Sequence, residues 1–169
     1  PGEIEQIFRA YDIRGIFGET LFPDVIAKAA AIFANIIGER GGDLVALSGD
    51  GRLSTRTLMY AAASGISSAG IDVIVYDSMP ISTFYYSVWS DDSIDGGAYV
   101  TASHNPPQWN GIRFRFSDGT GFAQENVEIR RRFFENKVKW ASWDGIGEII
   151  WRSREEVIKR YIEFAMNLD

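Results

Sequence analysis

The sequence contains no cysteine and one histidine, His104. Without cysteine there are no disulfides and no thiolate metal sites. A single histidine with no dedicated acidic neighbour does not define a hydrolase triad, and no Gly-x-Ser-x-Gly elbow is present. Positive charge is scarce: 17 Lys and Arg face 23 Asp and Glu, a net charge of -6. Nucleic-acid binding is generally built on a basic face, so it is not expected here. No apolar run approaches the ~18 residues a membrane helix needs, which argues against a membrane partner. No signal peptide is visible from Pro1 on in the given sequence, no repeat or low-complexity tract is evident, and the cytoplasm is the default expectation.

The chain has 169 residues, 46% hydrophobic and 24% charged, the composition of a globular protein with room for one substantial core. Over residues 24–40, Val25, Ile26, Ala29, Ala30, Phe33, Ile36 and Ile37 recur at helical period. Pro23 stands at the start and Gly41-Gly42 at the end. Leu44–Leu47 then reads as a strand apolar on both faces, hence central and covered by helices. Ser48-Gly49-Asp50-Gly51-Arg52 forms a turn fixed by Asp50, and Ser54 or Thr55 is placed to cap a helix over 56–69. Asp72–Tyr76 is a second buried strand, which completes a right-handed crossover unit. A helix from about Pro80 to Trp89 follows, with Phe84, Tyr85 and Tyr86 as core. Residues 124–137 are helical, with Arg130-Arg131-Arg132 a solvated face. Residues 138–153 read as an extended connector, and from Arg154 on Val157, Ile158, Tyr161, Ile162, Ala165 and Leu168 form an amphipathic stripe.

Between these elements lies Gly96-Gly97-Ala98-Tyr99-Val100-Thr101-Ala102-Ser103-His104-Asn105-Pro106-Pro107-Gln108-Trp109-Asn110-Gly111. A strand ends in small polar residues, a Pro-Pro pair stiffens the path, and an Asn-Gly pair turns it into the alternation Ile112, Phe114, Phe116. Asn105 precedes a proline and is biased to extended geometry, so the presentation of Ser103 is partly fixed by the chain. The loop sits at the carboxyl end of a strand, where open α/β sheets place ligands. The same residue types also serve as plain turn punctuation. Arginines cluster in sequence beside turns, at Arg9 and Arg14, Arg52 and Arg56, Arg113 and Arg115. Their planar forks suit bidentate phosphate contact.

Thr101-Ala102-Ser103-His104-Asn105-Pro106, followed by Asn110-Gly111, resembles the phosphoserine loop of the α-D-phosphohexomutases, the phosphomannomutase/phosphoglucomutase family. Tyr11-Asp12-Ile13-Arg14-Gly15 resembles that family's amino-terminal signature. The resemblance implies an α/β fold: a three-layer α/β/α first domain with a mixed, mostly parallel sheet of about four strands. It implies a domain over 1–137, the connector 138–153, and the truncated start of a second domain at 154–169. The remaining domains of the same polypeptide are then partners.

The resemblance further implies an isomerase that exchanges hexose 1-phosphate and 6-phosphate. Phosphorylated Ser103 gives its phosphoryl group to a hexose phosphate substrate, a bound hexose 1,6-bisphosphate reorients, and its other phosphate returns to Ser103. His104 handles protons, since imidazole titrates near neutrality. Arg14 binds phosphate or assists proton transfer, and Tyr11, Arg113 and Asn110 line the substrate or phosphate site, with Asn110 also read as a loop-shaping residue. Mg²⁺ bridges the phosphate on Ser103 to an acidic loop of a second domain, and the isolated chain is expected to be inactive. Two positions depart from the family's pattern: Ser48 stands where glycine is expected, and Arg113 where lysine is usual. Arginine stays protonated and is a poor base. These departures motivate an alternative, a noncatalytic phosphosugar-binding or regulatory paralogue.

Overall fold

The computed structural model describes residues 2–168. In chain order its elements are α1 (Gly2–Gln6), β1 (Ile13–Ile16), α2 (Pro23–Glu39), β2 (Leu44–Gly49), α3 (Thr55–Ser68), β3 (Asp72–Tyr76), α4 (Ile81–Trp89), β4 (Gly96–Val100), β5 (Trp109–Phe116), α5 (Gln124–Phe134), β6 (Ile149–Arg152) and α6 (Glu155–Met166). One sheet runs β1-β5-β4-β2-β3-β6. The β2–β3, β2–β4 and β3–β6 pairs are parallel, and β5 lies antiparallel to both β4 and β1.

The sheet has six strands where about four are expected. Both additions are short strands whose partners are remote in sequence. Glycines mask β1, yet it pairs along β5 with Arg14 opposite Gly111. A Cβ at Gly111 would stand 1.9 Å from the carbonyl oxygen of Ile13, so this close approach needs glycine. The Asn110-Gly111 pair is accordingly inside β5 and does not make the turn its composition indicates. β6 comes from the stretch read as a connector and extends the sheet beside β3.

Strand alternation divides the core between the two faces. Val45, Leu47, Val73, Val75, Ala98 and Val100 face α2, α3 and α5, where Phe33 stacks on Phe114 at 4.6 Å. Ala46, Ile74, Tyr76 and Tyr99 face α4 and α6, meeting Phe84, Val88 and Val157. The result is a three-layer α/β/α domain with a mixed sheet. On α6, Phe164 packs on Tyr86 and Trp89 while Ile162 and Met166 are exposed, as is Leu168 just beyond the helix. Among the described residues, no helix is long and apolar enough to cross a membrane.

Neither hydroxyl proposed as a cap for α3 bonds to that helix's backbone. Thr55 Oγ1 donates to Asp50, and both hydroxyls accept from Asn110. Long-range polar partners displaced the local cap.

Candidate active site

β4 and β5 are joined by the loop that carries Ser103. Its ends are tied by hydrogen bonds from Thr101 N to Gly111 O, 3.0 Å, and from Trp109 N to Pro106 O, 3.0 Å. Ser103 has φ +52°, a left-handed conformation that non-glycine residues seldom adopt and that often marks functional sites. Its N–H donates to Thr101 Oγ1 at 3.0 Å, and Thr101 in turn donates to Asp50 Oδ2 at 2.8 Å.

Asp50 and Arg52 hold the loop from β2's side. Asp50 accepts from Arg52 Nε at 3.1 Å, and Arg52 spreads its fork over the carbonyls of Ser103, Asn105, Pro106 and Trp109 at 2.7–3.1 Å. Its donors are thereby spent on the backbone, so Arg52 is a clasp and not a phosphate ligand. Under β4, Tyr99 stands opposite Arg113 and donates to the Met79 carbonyl at 2.7 Å. Burial pushes its phenol well above the usual tyrosine range.

The antiparallel register of β1 and β5 brings a second group from the other side. Arg14 Nη2 lies 3.4 Å and Arg113 Nη2 3.1 Å from Ser103 Oγ. Arg14 Nη1 also donates to Asn105 Oδ1 at 2.9 Å. Between the guanidiniums sits Asp12, 5% exposed, whose Oδ2 accepts from Arg14 Nη2 at 2.5 Å and from Arg113 Nε at 3.3 Å.

Three of the six sequence-predicted site residues therefore converge: Ser103, Arg14 and Arg113. His104 is exposed next to the serine, and its ring makes no hydrogen bond among the described residues. Tyr11 is 73% exposed and shares a hollow of about 280 Å³ with Tyr85, Arg113 and Arg115, over Phe114 and Phe122. Asn110 is not brought to this opening. It is fully buried, donates to Ser54 and Thr55 at 2.8 and 3.0 Å, and accepts from the Gly111 N–H.

Asp12 and Thr101 were not singled out from sequence. The signal for Asp12 was its place in the same short signature as Arg14. Two further hollows, each about 340 Å³, share Gly51, Ser78 and Arg154 at the ends of β2 and β3 and are not lined by Ser103. As for a metal, no three ligand-type side chains among the described residues are grouped to hold one. The carboxylates that bond to the site's residues, Asp12 and Asp50, are already engaged by arginines. These residues do not by themselves fit a metal ion.

The fold and the site define an α/β/α domain that offers one serine hydroxyl to two arginine forks. The family profile described as phosphoglucomutase/phosphomannomutase, alpha/beta/alpha domain I, matches residues 5–139. The chain belongs to that family. It is 34% identical to a phosphoglucomutase/phosphomannomutase of Thermococcus kodakarensis, over 96% of this chain and 35% of the relative. It is 33% identical to a phosphoglucosamine mutase of Alcanivorax borkumensis, over 90% of this chain and 34% of the relative. Among solved structures, a phosphoglucomutase/phosphomannomutase family protein of Burkholderia thailandensis superimposes with a TM-score of 0.82 at 29% identity, covering 94% of this chain and 35% of that one. The chain thus spans about a third of the length of the curated relatives it matches.

Proposed function

We propose that this chain is the phosphate-carrying first domain of a phosphohexomutase. Residues 1–137 form that domain, 138–153 lead out of it while lending β6 to its sheet, and 154–169 begin the next. The observation that carries the reading is the convergence of Arg14 and Arg113 on Ser103 Oγ. A phosphoserine bears about -1.5 to -2 charge near neutral pH, and paired guanidiniums are the group best suited to hold it.

In this reading Ser103 transfers its phosphoryl group to a hydroxyl of a hexose monophosphate: the Ser103 Oγ–P bond breaks and a new sugar O–P bond forms. The bound 1,6-bisphosphate turns over and returns its other phosphate to Ser103. Arg14 and Arg113 stabilise charge on the phosphoryl oxygens, so that positioning and electrostatics carry the step. Exposed His104 is the group that takes or returns the hydroxyl proton, a role Arg113 cannot fill. Tyr11, at the mouth of the hollow that Arg113 lines, contacts the sugar. Mg²⁺ would supply further neutralisation of the phosphate, and its remaining ligands must come from outside this chain.

Incubation of a longer polypeptide carrying this domain with hexose 1,6-bisphosphate tests the reading by intact mass. One phosphate is expected on the parent and none on Ser103→Ala. Equal labelling of both would refute Ser103 as carrier. Residues 1–169 alone are expected to show no mutase turnover, because the domain offers no complete metal site. The noncatalytic alternative rests on Ser48 and Arg113, and turnover by the longer polypeptide with both residues in place would exclude it.

A further inference from the structure

Asp12 is the one carboxylate bound by both arginines that reach the serine. Its side chain is 4% exposed, against 15% for Arg14 and 34% for Arg113, so the acid is the innermost of the three. One oxygen, Oδ2, takes Arg14 Nε at 2.9 Å, Arg14 Nη2 at 2.5 Å and Arg113 Nε at 3.3 Å. Arg113 Nη2 is left directed at Ser103 Oγ at 3.1 Å, and Arg14 Nη2 reaches the same oxygen at 3.4 Å while also donating to Asp12. The register explains the placement. Ile13 pairs with Ile112, so Asp12, one residue before β1, comes level with Arg113, and alternation puts Asp12 and Arg14 on the same side.

Two guanidiniums repel, and a buried charge needs a partner. Without an anion between them, Arg14 and Arg113 would separate toward solvent when the serine carries no phosphate. We propose that Asp12 is a positioning residue: a fixed buried charge that gathers both guanidiniums around Ser103 Oγ before any phosphate is present. The site is then preorganised and does not have to collect its cations during the transfer, which is the arrangement electrostatic stabilisation requires. The catalytic consequence rests on the proposed function, but the effect on anion binding does not.

The sign of one measurement separates positioning from mere charge. A carboxylate near an anion site should repel the anion, so removing it by simple electrostatics would tighten binding. If Asp12 positions the forks, Asp12→Asn loosens them and binding weakens. The probe is inorganic phosphate, titrated calorimetrically into the unphosphorylated chain and its Asp12→Asn variant. A roughly tenfold or larger loss of affinity is expected, and unchanged or tighter binding would overturn the proposal.

Should the variant not fold, the parent chain still decides. Nε–H signals of Arg14 and Arg113, assigned by loss in Arg14→Lys and Arg113→Lys, are expected to exchange slowly with solvent. Fast exchange of both would overturn the proposal. In the longer polypeptide, Asp12→Asn should lower kcat with KM little changed, whereas a purely structural role would appear as lost stability with kcat per folded molecule retained. If the parent takes no phosphate on Ser103, the proposed function fails while the phosphate titration still reads Asp12.

Discussion

Arg52 Nη2 lies 2.9 Å from the carbonyl oxygen of Ser103, so the residue read as a candidate phosphate ligand binds the serine's own backbone. Its fork closes on three further carbonyls, which fixes the loop in the conformation that turns Ser103 to φ +52°. Lysine offers a point charge in place of a planar fork and cannot span four acceptors. Arg52→Lys is therefore expected to destabilise the chain by about 2 kcal/mol, from hydrogen bonds made by a charged donor. Urea denaturation measures this. Phosphate labelling of Ser103 in the longer polypeptide should slow in parallel, and an unchanged labelling rate would show that the clasp is dispensable.

Gly111 makes a second, steric prediction. A methyl group there meets the Ile13 carbonyl at 1.9 Å and the Ile13 carbonyl carbon at 2.9 Å, both rigid backbone. Gly111→Ala must push β1 from β5 and carry Arg14 away from Ser103. A loss of about 3 kcal/mol or more is expected, at the upper end for an overpacked core. Gly51→Ala is the control, since nothing lies within 4 Å of the added carbon. Thermal unfolding should leave it within about 0.5 kcal/mol of the parent. Comparable losses in the two variants would contradict the strand contact.

The central strands and the helices were legible because their signal is local. Apolar period over α2 and unbroken apolar runs in β2 and β3 report burial directly, and Asp72–Tyr76 coincides with β3. The serine loop was legible through its turn residues and its resemblance to a known motif. What could not be read depends on pairing at a distance. β1 is four residues long and contains a glycine, and only β5, about a hundred residues later, makes it a strand. Asn110-Gly111 has the composition of a turn but serves as a close strand contact, because its partner is β1 and not its neighbours. Asp12 and Arg113 are 101 residues apart, so no local pattern ties the carboxylate to the guanidinium it holds.

Asn110 separates a binding role from a structural one. Sequence offered it both as a substrate-site and as a loop-shaping residue, and the fully buried amide bonds Ser54, Thr55 and the Gly111 N–H. Asn110→Ala leaves two hydroxyls and a backbone donor short of a partner, with a cost of about 2 kcal/mol. Chemical denaturation should register that cost. Substrate KM of the longer polypeptide should stay within about twofold of the parent, as for loss of a group that makes no substrate contact. A large rise in KM with unaltered stability would restore Asn110 to the substrate site.

Part of the acid limb of stability is set on the far side of the sheet from Tyr99, where α5 is clamped to α2. Arg132 reaches Glu39 bidentately at 2.8 and 2.9 Å and Glu128 at 2.7 Å, and Arg131 adds two more bonds to Glu128 at 2.6 and 3.1 Å. The hydrogen bond from Arg132 holds Glu39 below its ordinary 4.5, and those from Arg131 and Arg132 bring Glu128 down to about 2. Both folded-state values lie below the unfolded one. Their stabilisation is thus fully present above about pH 4.5 and is lost as pH falls toward 2. Glu39→Gln removes one of the two anions at every pH. At pH 7 it should lower Tm by about 2 °C, the small end of the range for a chain of this size, because the pair is partly solvent-screened. The gap between parent and variant should narrow as pH falls below about 4.5 and the parent's Glu39 takes up a proton as well. It should also shrink in ~1 M salt, whose screening length is about 3 Å. A gap that persisted at low pH would mean that Glu39 acts through packing and not through its charge.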